Sequence, residues 1–272
     1  MPDWGEIFAD AQMQRLQPSP EVLALLPAWL EAGCRRVLDA GCGVGRHLLP
    51  LAEAGFQVWG VDSDARVLSL LKVRLERESA GKNASLSADQ NLSRGLGGEC
   101  RGTACRARRE GGPGRGNPTP TAPGPPLKPL HTQLVRADLR RLPLAGGVFD
   151  LVLSINVINH GDTLAFQGYC RELDRVLRPG GQLFINVSPR EFGEQVLLPH
   201  TRELEPGTWV EIATPDGDLV HHFPTAAELQ AQFPAYRLLR LDTSLRPIPF
   251  MGGVELPQLI FWGEKRTKYQ IP

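Results

Sequence analysis

The 272-residue chain has no net charge, because 30 Lys and Arg balance 30 Asp and Glu. Overall charge therefore gives no reason to expect a nucleic acid or a membrane surface as a partner. Long apolar runs are missing as well, and nothing approaches the roughly 20 consecutive apolar residues of a spanning helix. The first residues, Met-Pro-Asp-Trp-Gly-Glu, lack both the basic and the apolar region of a signal peptide. The five cysteines (Cys34, Cys42, Cys100, Cys105, Cys170) are scattered and odd in number. They form no disulfide framework and point to a reducing compartment. Cys100 and Cys105 have no two further ligands nearby, so no structural zinc is expected. No internal repeat is visible. These absences leave a soluble cytoplasmic protein, without a metal, as the expectation.

What is present is alternation. Residues 21–33 predict a short helix with Leu23, Leu26 and Leu30 on one face and Pro27 within it. Arg36–Ala40 reads as a buried strand, 46–54 as a helix with Pro50 in its first turn, and Phe56–Asp62 as a second strand. Asp64 suits the N-cap of a further helix with Val67, Leu68, Leu71 and Leu75 inward. From 79 to 130 the pattern stops. That stretch is rich in Gly, Pro, Arg, Ser and Ala, and holds eight Lys or Arg against three Asp or Glu. It has too little apolar surface to offset its ordering entropy and reads as a disordered insertion. Lacking aromatics to stack on bases, it reads as a solvated tether rather than an RNA-binding arm.

Alternation resumes with strands at Gln133–Ala137, Val148–Ile155 and Gln182–Val187. Between the last two lies a helix, 163–177, with Phe166, Cys170, Leu173 and Leu177 inward, stopped at Arg178-Pro179-Gly180-Gly181. Strand–helix alternation with short connections implies a parallel sheet with helices on both faces. Beyond it come a hairpin around Pro215-Asp216-Gly217, a capping box at Thr225–Glu228, and strands at Tyr236–Leu241 and Gln258–Glu264. We expect an N-terminal helical segment (1–35) and one large domain (36–272). The domain would be interrupted at 79–130 and carry an acceptor-side insertion at 189–224.

The most informative stretch is Val37-Leu-Asp-Ala-Gly-Cys-Gly-Val-Gly-Arg-His47. A strand ends in a carboxylate, and glycines at 41, 43 and 45 let a ligand approach the backbone closely. The dinucleotide fingerprint G-x-G-x-x-G has its third glycine where this chain has Arg46, which argues against a nicotinamide-dependent oxidoreductase. Further markers follow in order. Asp62 ends the second strand, Leu134-Val-Arg-Ala-Asp138 ends the third, Phe149–Asn156 runs into Val-Ile-Asn-His160, and Leu173–Leu183 contains Leu-Arg-Pro-Gly-Gly.

Taken together these resemble motifs I to IV and the closing turn of class I S-adenosylmethionine (SAM) methyltransferases of the small-molecule type, over roughly residues 36–188 without the insertion. The resemblance implies an α/β Rossmann-like fold: a seven-stranded, mostly parallel sheet with an antiparallel last strand. It also implies roles. Asp39 would lie near the SAM amino group, and Gly41, Cys42, Gly43 and Gly45 would pass under the ligand. Asp62, with Ser63 beside it, would accept both ribose hydroxyls. Asp138 would meet the adenine amino group, with Leu139 beside the ring. Ser154, Ile155 and Asn156 would line the methionine end, and Asn156 and His160 would face the methyl group and the acceptor.

Several readings stay open. Arg46 either pairs with the SAM carboxylate or faces solvent. His160 is either a general base or a polar loop residue. His221 and His222 are adjacent on a strand and point to opposite faces, so they share no metal. The absence of Asp/Asn-Pro-Pro-Tyr, and of Pro-Cys, at Ser154-Ile-Asn-Val157 lowers the expectation of a nucleobase acceptor. The expected activity is methyl transfer from SAM to a small molecule, whose pocket would use Trp4, Ile7, Phe8, Phe192, Trp209 and His222. The alternatives are a protein or RNA methyltransferase and a non-catalytic SAM-binding protein.

Overall fold

A computed structural model describes residues 16–78, 130–196, 201–211, 219–248 and 254–267. The 79–129 stretch, Trp4, Ile7, Phe8 and the turn at Pro215-Asp216-Gly217 lie outside the described residues. The unit formed by 1–75 and 130–272 carries a seven-stranded sheet and a smaller three-stranded one.

Helix α1 (Pro20–Glu31) leads into β1 (Arg36–Ala40), α2 (Leu48–Ala54) and β2 (Gln57–Asp62). Helix α3 (65–78), β3 (His131–Arg136), β4 (Phe149–Ile155), α4 (Thr163–Val176) and β5 (Leu177–Val187) follow. After β5 come α5 (Arg190–Val196), β6 (Thr201–Glu205), β7 (Thr208–Glu211) and β8 (Leu219–His222). Helix α6 (Ala226–Ala231), β9 (Tyr236–Ile248) and β10 (Val254–Lys265) complete the chain. The main sheet runs β3-β2-β1-β4-β5-β10-β9, and β6-β7-β8 form a second, antiparallel sheet. Strands β3, β2, β1, β4 and β5 pair in parallel, while β10 is antiparallel to both β5 and β9. This is the seven-stranded, mostly parallel arrangement that the motifs implied.

The two faces of the sheet bury separate clusters. Leu151, Leu153 and Ile155 of β4 meet α1, α2 and α3 on one face, through Val22, Trp29, Leu48, Leu51 and Leu71. Val152 meets α4 on the other, through Phe166, Cys170 and Leu173. Full burial of a side chain such as Leu71 or Phe166 contributes about 1.5–3 kcal/mol, so the inward spacing on α3 and α4 is what anchors them. Asp64 caps α3 by accepting the Arg66 N–H (2.8 Å), and Asp162 caps α4 by accepting the Ala165 N–H (2.8 Å). The capping box of α6 pairs Thr225 with Glu228 in both directions.

Four details differ from the sequence expectation. Leu23 is exposed, and the inward face of α1 is Val22 and Trp29, because Trp29 meets Phe184 edge-on at 5.8 Å. Arg178-Pro-Gly-Gly does not separate α4 from the next strand but is the start of β5, which passes a register shift opposite Phe149–Leu151. Strands β9 and β10 are each about twice the expected length, since they pair with one another along their whole span. Strand β6 was not anticipated: its Glu-rich sequence has no buried alternation, and it is held only by β7.

Candidate functional site

From β1 the chain crosses by α2 to β2 on one side, and from β4 it crosses by α4 to β5 on the other. The order reverses between β1 and β4, and their carboxyl ends flank the crevice where open α/β sheets take ligands.

The loop after β1 is fixed by its neighbours on both sides. The Gly41 and Cys42 N–H groups donate to the Val61 carbonyl (2.8 and 2.9 Å). Gly41 adopts φ +76°, and a Cβ there would come within 2.4 Å of Val157 Cγ2. Only glycine satisfies both the left-handed backbone and the close approach of the loop after β4. A Cβ on Gly45 would likewise meet Leu71 of α3 at 2.3 Å.

Three carboxylates at strand ends differ sharply. Asp39 is buried, and its Oδ2 has no hydrogen-bond partner. Burial pushes its carboxyl up to about 7, against the attraction of Arg46 and with the added repulsion of Asp62. Asp62 accepts the Gly43 N–H on Oδ2 and the Asp64 N–H on Oδ1, both at 3.0 Å. Burial raises it despite these bonds and that from the Ser63 N–H. Asp138 is 41% exposed and grips Arg140 in a bidentate pair, which holds its carboxyl below the ordinary range. Leu139 is buried in the α4-side cluster, and Ser63 is exposed with its carbonyl on the Arg136 guanidinium (3.1 Å). The structure thus gathers Asp39, Gly41, Cys42, Gly43, Arg46 and Asp62 into one cradle and sets Asp138 apart at the rim. Arg46 is partly buried, which lowers its pKa against the pull of Asp39. Next to it, His47 is buried, is pushed down to about 3, and accepts the Ser19 N–H on Nε2 (3.1 Å).

The loop after β4 forms the second half. Ser154 is fully buried, and Ile155 packs on the α1 face. Asn156 is the one non-glycine with positive φ (55°) among the described residues, and its N–H donates to the Asn186 carbonyl (2.8 Å). Its own carbonyl lies 3.2 Å from His160 Nε2. Strand β8 clamps this loop: the His222 N–H donates to the Asn159 carbonyl and the Gly161 N–H to the Val220 carbonyl, each at 2.8 Å. His221 consequently packs against His160, with ring centroids 4.8 Å apart and the planes tilted by 57°. Burial lowers His160 to about 3, helped by His221, and lowers His221 to about 4. Both rings are neutral near pH 7.

The adjacent residue faces elsewhere. His222 Nδ1 meets Thr208 Oγ1 at 2.9 Å and packs on Phe166, so it fills the join between β7, β8 and α4. Trp209 and Phe192 both contact Phe223, which stacks on His221. An aromatic chain therefore runs from the second sheet to His160. The pairing of His160 with His221 was not foreseen, because it joins residues 61 apart in sequence. Asn186 was also passed over, although a lone amide in Leu183-Phe-Ile-Asn-Val187 was a visible signal. Among the described residues no group of three or more His, Cys, Asp or Glu could hold a metal ion, and no helix is long and apolar enough to cross a membrane.

The family model for a methyltransferase domain matches residues 9–254. A ubiquinone biosynthesis O-methyltransferase from Cereibacter sphaeroides is 28% identical over 189 residues, covering 66% of this chain and 55% of that one. The chain thus spans about half the length of the curated relatives it matches. A SAM-dependent methyltransferase structure from Methanosarcina mazei superposes with a TM-score of 0.62 at 15% identity, covering 93% of this chain and all of the other. The 1,6-didemethyltoxoflavin-N1-methyltransferase of Burkholderia thailandensis gives 0.50 at 18% identity, covering 96% and 82%. At such identities the structural likeness speaks for the fold.

Proposed function

The chain belongs to the methyltransferase domain family, and on that premise we propose that it transfers the methyl group of SAM to a small-molecule acceptor at the crevice between β1 and β4. The observation that carries this reading is the buried, unpartnered Oδ2 of Asp39 beside the glycine loop. An ammonium is the group that such an oxygen lacks, and SAM carries one on the α-carbon of its methionine end. Asp62 fits the ribose. The Gly43, Asp64 and Ser63 N–H groups hold its carboxylate at the strand end, and a carboxylate has about four acceptor positions, so a ribose hydroxyl can still be taken. Asp138, at the rim, is held by the Arg140 guanidinium and backbone N–H, and would meet the adenine amino group by exchanging part of that pairing, with the Leu139 backbone alongside. Arg46 lies on the Asp39 side and can balance a carboxylate there.

SAM supplies an activated methyl group on a positively charged sulfur. The protein's task is to align the acceptor in line with that group and exclude water, a proximity effect worth up to about 7–11 kcal/mol. Gly41 against Val157 fixes the distance between the two loops. Asn156 turns the chain so that its side chain and His160 face the same opening. His160 Nε2 donates to the Asn156 carbonyl, which leaves Nδ1 as the basic atom. A pKa near 3 does not disqualify it. A hydroxyl or amine that has begun to take the methyl group is far more acidic than the free compound. Nδ1 then receives the proton as the new bond forms.

The names of the relatives favour a small acceptor: one refers to ubiquinone biosynthesis and another to didemethyltoxoflavin. The aromatic chain Trp209–Phe223–His221–His160 would suit a planar compound. Incubation with methyl-labelled SAM and cell extract, followed by separation into metabolite, RNA and protein fractions, tests the reading. We expect label in the metabolite fraction. Label confined to RNA or protein, or none at all, would overturn it.

A further inference from the structure

We propose that Asn186 determines acceptor specificity by taking a hydrogen bond from an O–H or N–H of the molecule to be methylated; this rests on the methyl-transfer reading above. Five buried oxygens without partners gather at the carboxyl ends of β1, β4 and β5 and in the loop after β4: Asp39 Oδ2, Ser154 Oγ, Asn156 Oδ1, Asn159 Oδ1 and Asn186 Oδ1. Native structures leave few such atoms unsatisfied, and each calls for an explanation. Asp39 has one in the SAM ammonium. Asn186 has none in the functions assigned so far.

Its position is specific. Asn186 is 6% exposed and pairs in register with Ile155 of β4 and Ile260 of β10. Alternation along the strand puts its side chain on the same face as Phe184, the face of α1 and of the glycine loop. Its carbonyl holds the Asn156 N–H at 2.8 Å, so it sits directly behind the turn that opens toward the methyl group. The next polar pair along the sheet is already occupied: Gln258 Nε2 donates to Ser188 Oγ (3.2 Å) and to the Pro257 carbonyl (3.0 Å). An amide oxygen buried in an apolar strand is costly to leave unmatched. A partner that carries a donor removes that cost only when it is bound, which is how a site selects its ligand.

The chemistry of the cluster narrows the class. Oxygens that only accept, or that accept most readily, call for hydroxyl or amino donors. An amide oxygen presented to the ligand favours such a donor over a carboxylate or phosphate, which would bring a second acceptor against it. The acceptor is therefore a neutral or cationic hydroxyl- or amino-bearing small molecule, and the product a methyl ether or methylamine rather than a methyl ester.

The test uses the metabolite fraction of a cell extract as the acceptor source and methyl-labelled SAM as donor. Asn186→Leu keeps the volume and removes the hydrogen bond; Asn186→Ala, as a second variant, removes it without adding branched bulk. For both we expect kcat/KM toward the extract to fall by about tenfold or more, through a higher apparent KM. S-Adenosylhomocysteine affinity should stay within about threefold and Tm should not fall, because an unmatched polar group has been removed. Mass spectrometry of the wild-type product should show an ether or amine. Unchanged kinetics, an equal loss of S-adenosylhomocysteine affinity, or a labelled methyl ester would overturn the assignment. No label with the wild-type protein would instead sink the methyl-transfer reading, and this proposal with it.

Discussion

Around β1 and β2 the crevice is lined by carboxylates held in surroundings that oppose their charge. Asp39 is raised to about 7 and has an empty oxygen, and Asp62 is raised despite its backbone bonds. Around β4 and β8 it is lined by neutral rings, His160 and His221, packed against each other at a tilt and backed by Phe223 and Trp209. The first half waits for positive charge and hydroxyl donors; the second offers aromatic walls with neutral polar groups set among them. A cationic donor and a planar, uncharged acceptor would be sorted to opposite sides by that contrast alone. The first half is built from adjacent residues in the chain, whereas the second is assembled by β8 reaching back across 61 positions.

The largest expected effect comes from the point where the halves touch. Gly41→Val forces a branched side chain into φ +76° and onto Val157, at a site with no room for a Cβ. Overpacking of this kind costs about 1–3 kcal/mol, and the loop must move to relieve it. Titration calorimetry should show no saturable S-adenosylhomocysteine binding. Normal binding would mean that the contact between the loops is incidental.

The next separates the halves. His160→Ala should lower turnover by about a hundredfold, the lower range for a positioned acid or base, while S-adenosylhomocysteine affinity is unchanged. If affinity falls in step with turnover, the ring belongs to the donor side and the contrast is lost.

The smallest is a stability effect at Asp39. A carboxyl raised from 3.8 to about 7 binds more protons folded than unfolded. Its stabilising contribution is complete below the unfolded pKa and is lost as pH rises through the folded value. Asp39→Asn escapes that loss. Its Tm advantage over wild type should therefore grow from pH 4 upward and level off above about 7, reaching a few degrees at about 2–4 °C per kcal/mol. The same variant should bind S-adenosylhomocysteine more weakly, having lost the charge opposite the ammonium. A melting series from pH 4 to 8 checks the slope. A constant offset would show that Asp39 is not desolvated.

The sequence was most legible where the local geometry is set by residues close together in the chain. Asp39, Gly41, Gly43 and Asp62 sit at strand ends that hydrophobic runs mark clearly, and the loop between them needs no distant partner to be recognised. The same holds for the caps at Asp64 and Thr225, which bond within four residues. Where contacts cross the chain, local reading failed. Trp29 took the inward place given to Leu23 because Phe184 lies behind it. His221, not His222, met His160 because β8 pairs with the loop after β4 and so sets the phase of its side chains. Asn186 matters for what it lacks, and a missing partner is visible only once the surroundings are in place.

On the proposed reading, the carboxylates around the glycine loop hold SAM. Calorimetric titration of S-adenosylhomocysteine into the wild-type protein and Asp62→Ala, with NAD as the control ligand, tests it most directly. We predict one saturable site in the wild type, no binding of NAD, and a loss of about thirtyfold or more in the variant, since hydrogen bonds to a charged acceptor contribute about 1.5–3 kcal/mol. Equal affinity in both proteins, or binding of NAD in place of S-adenosylhomocysteine, would contradict it.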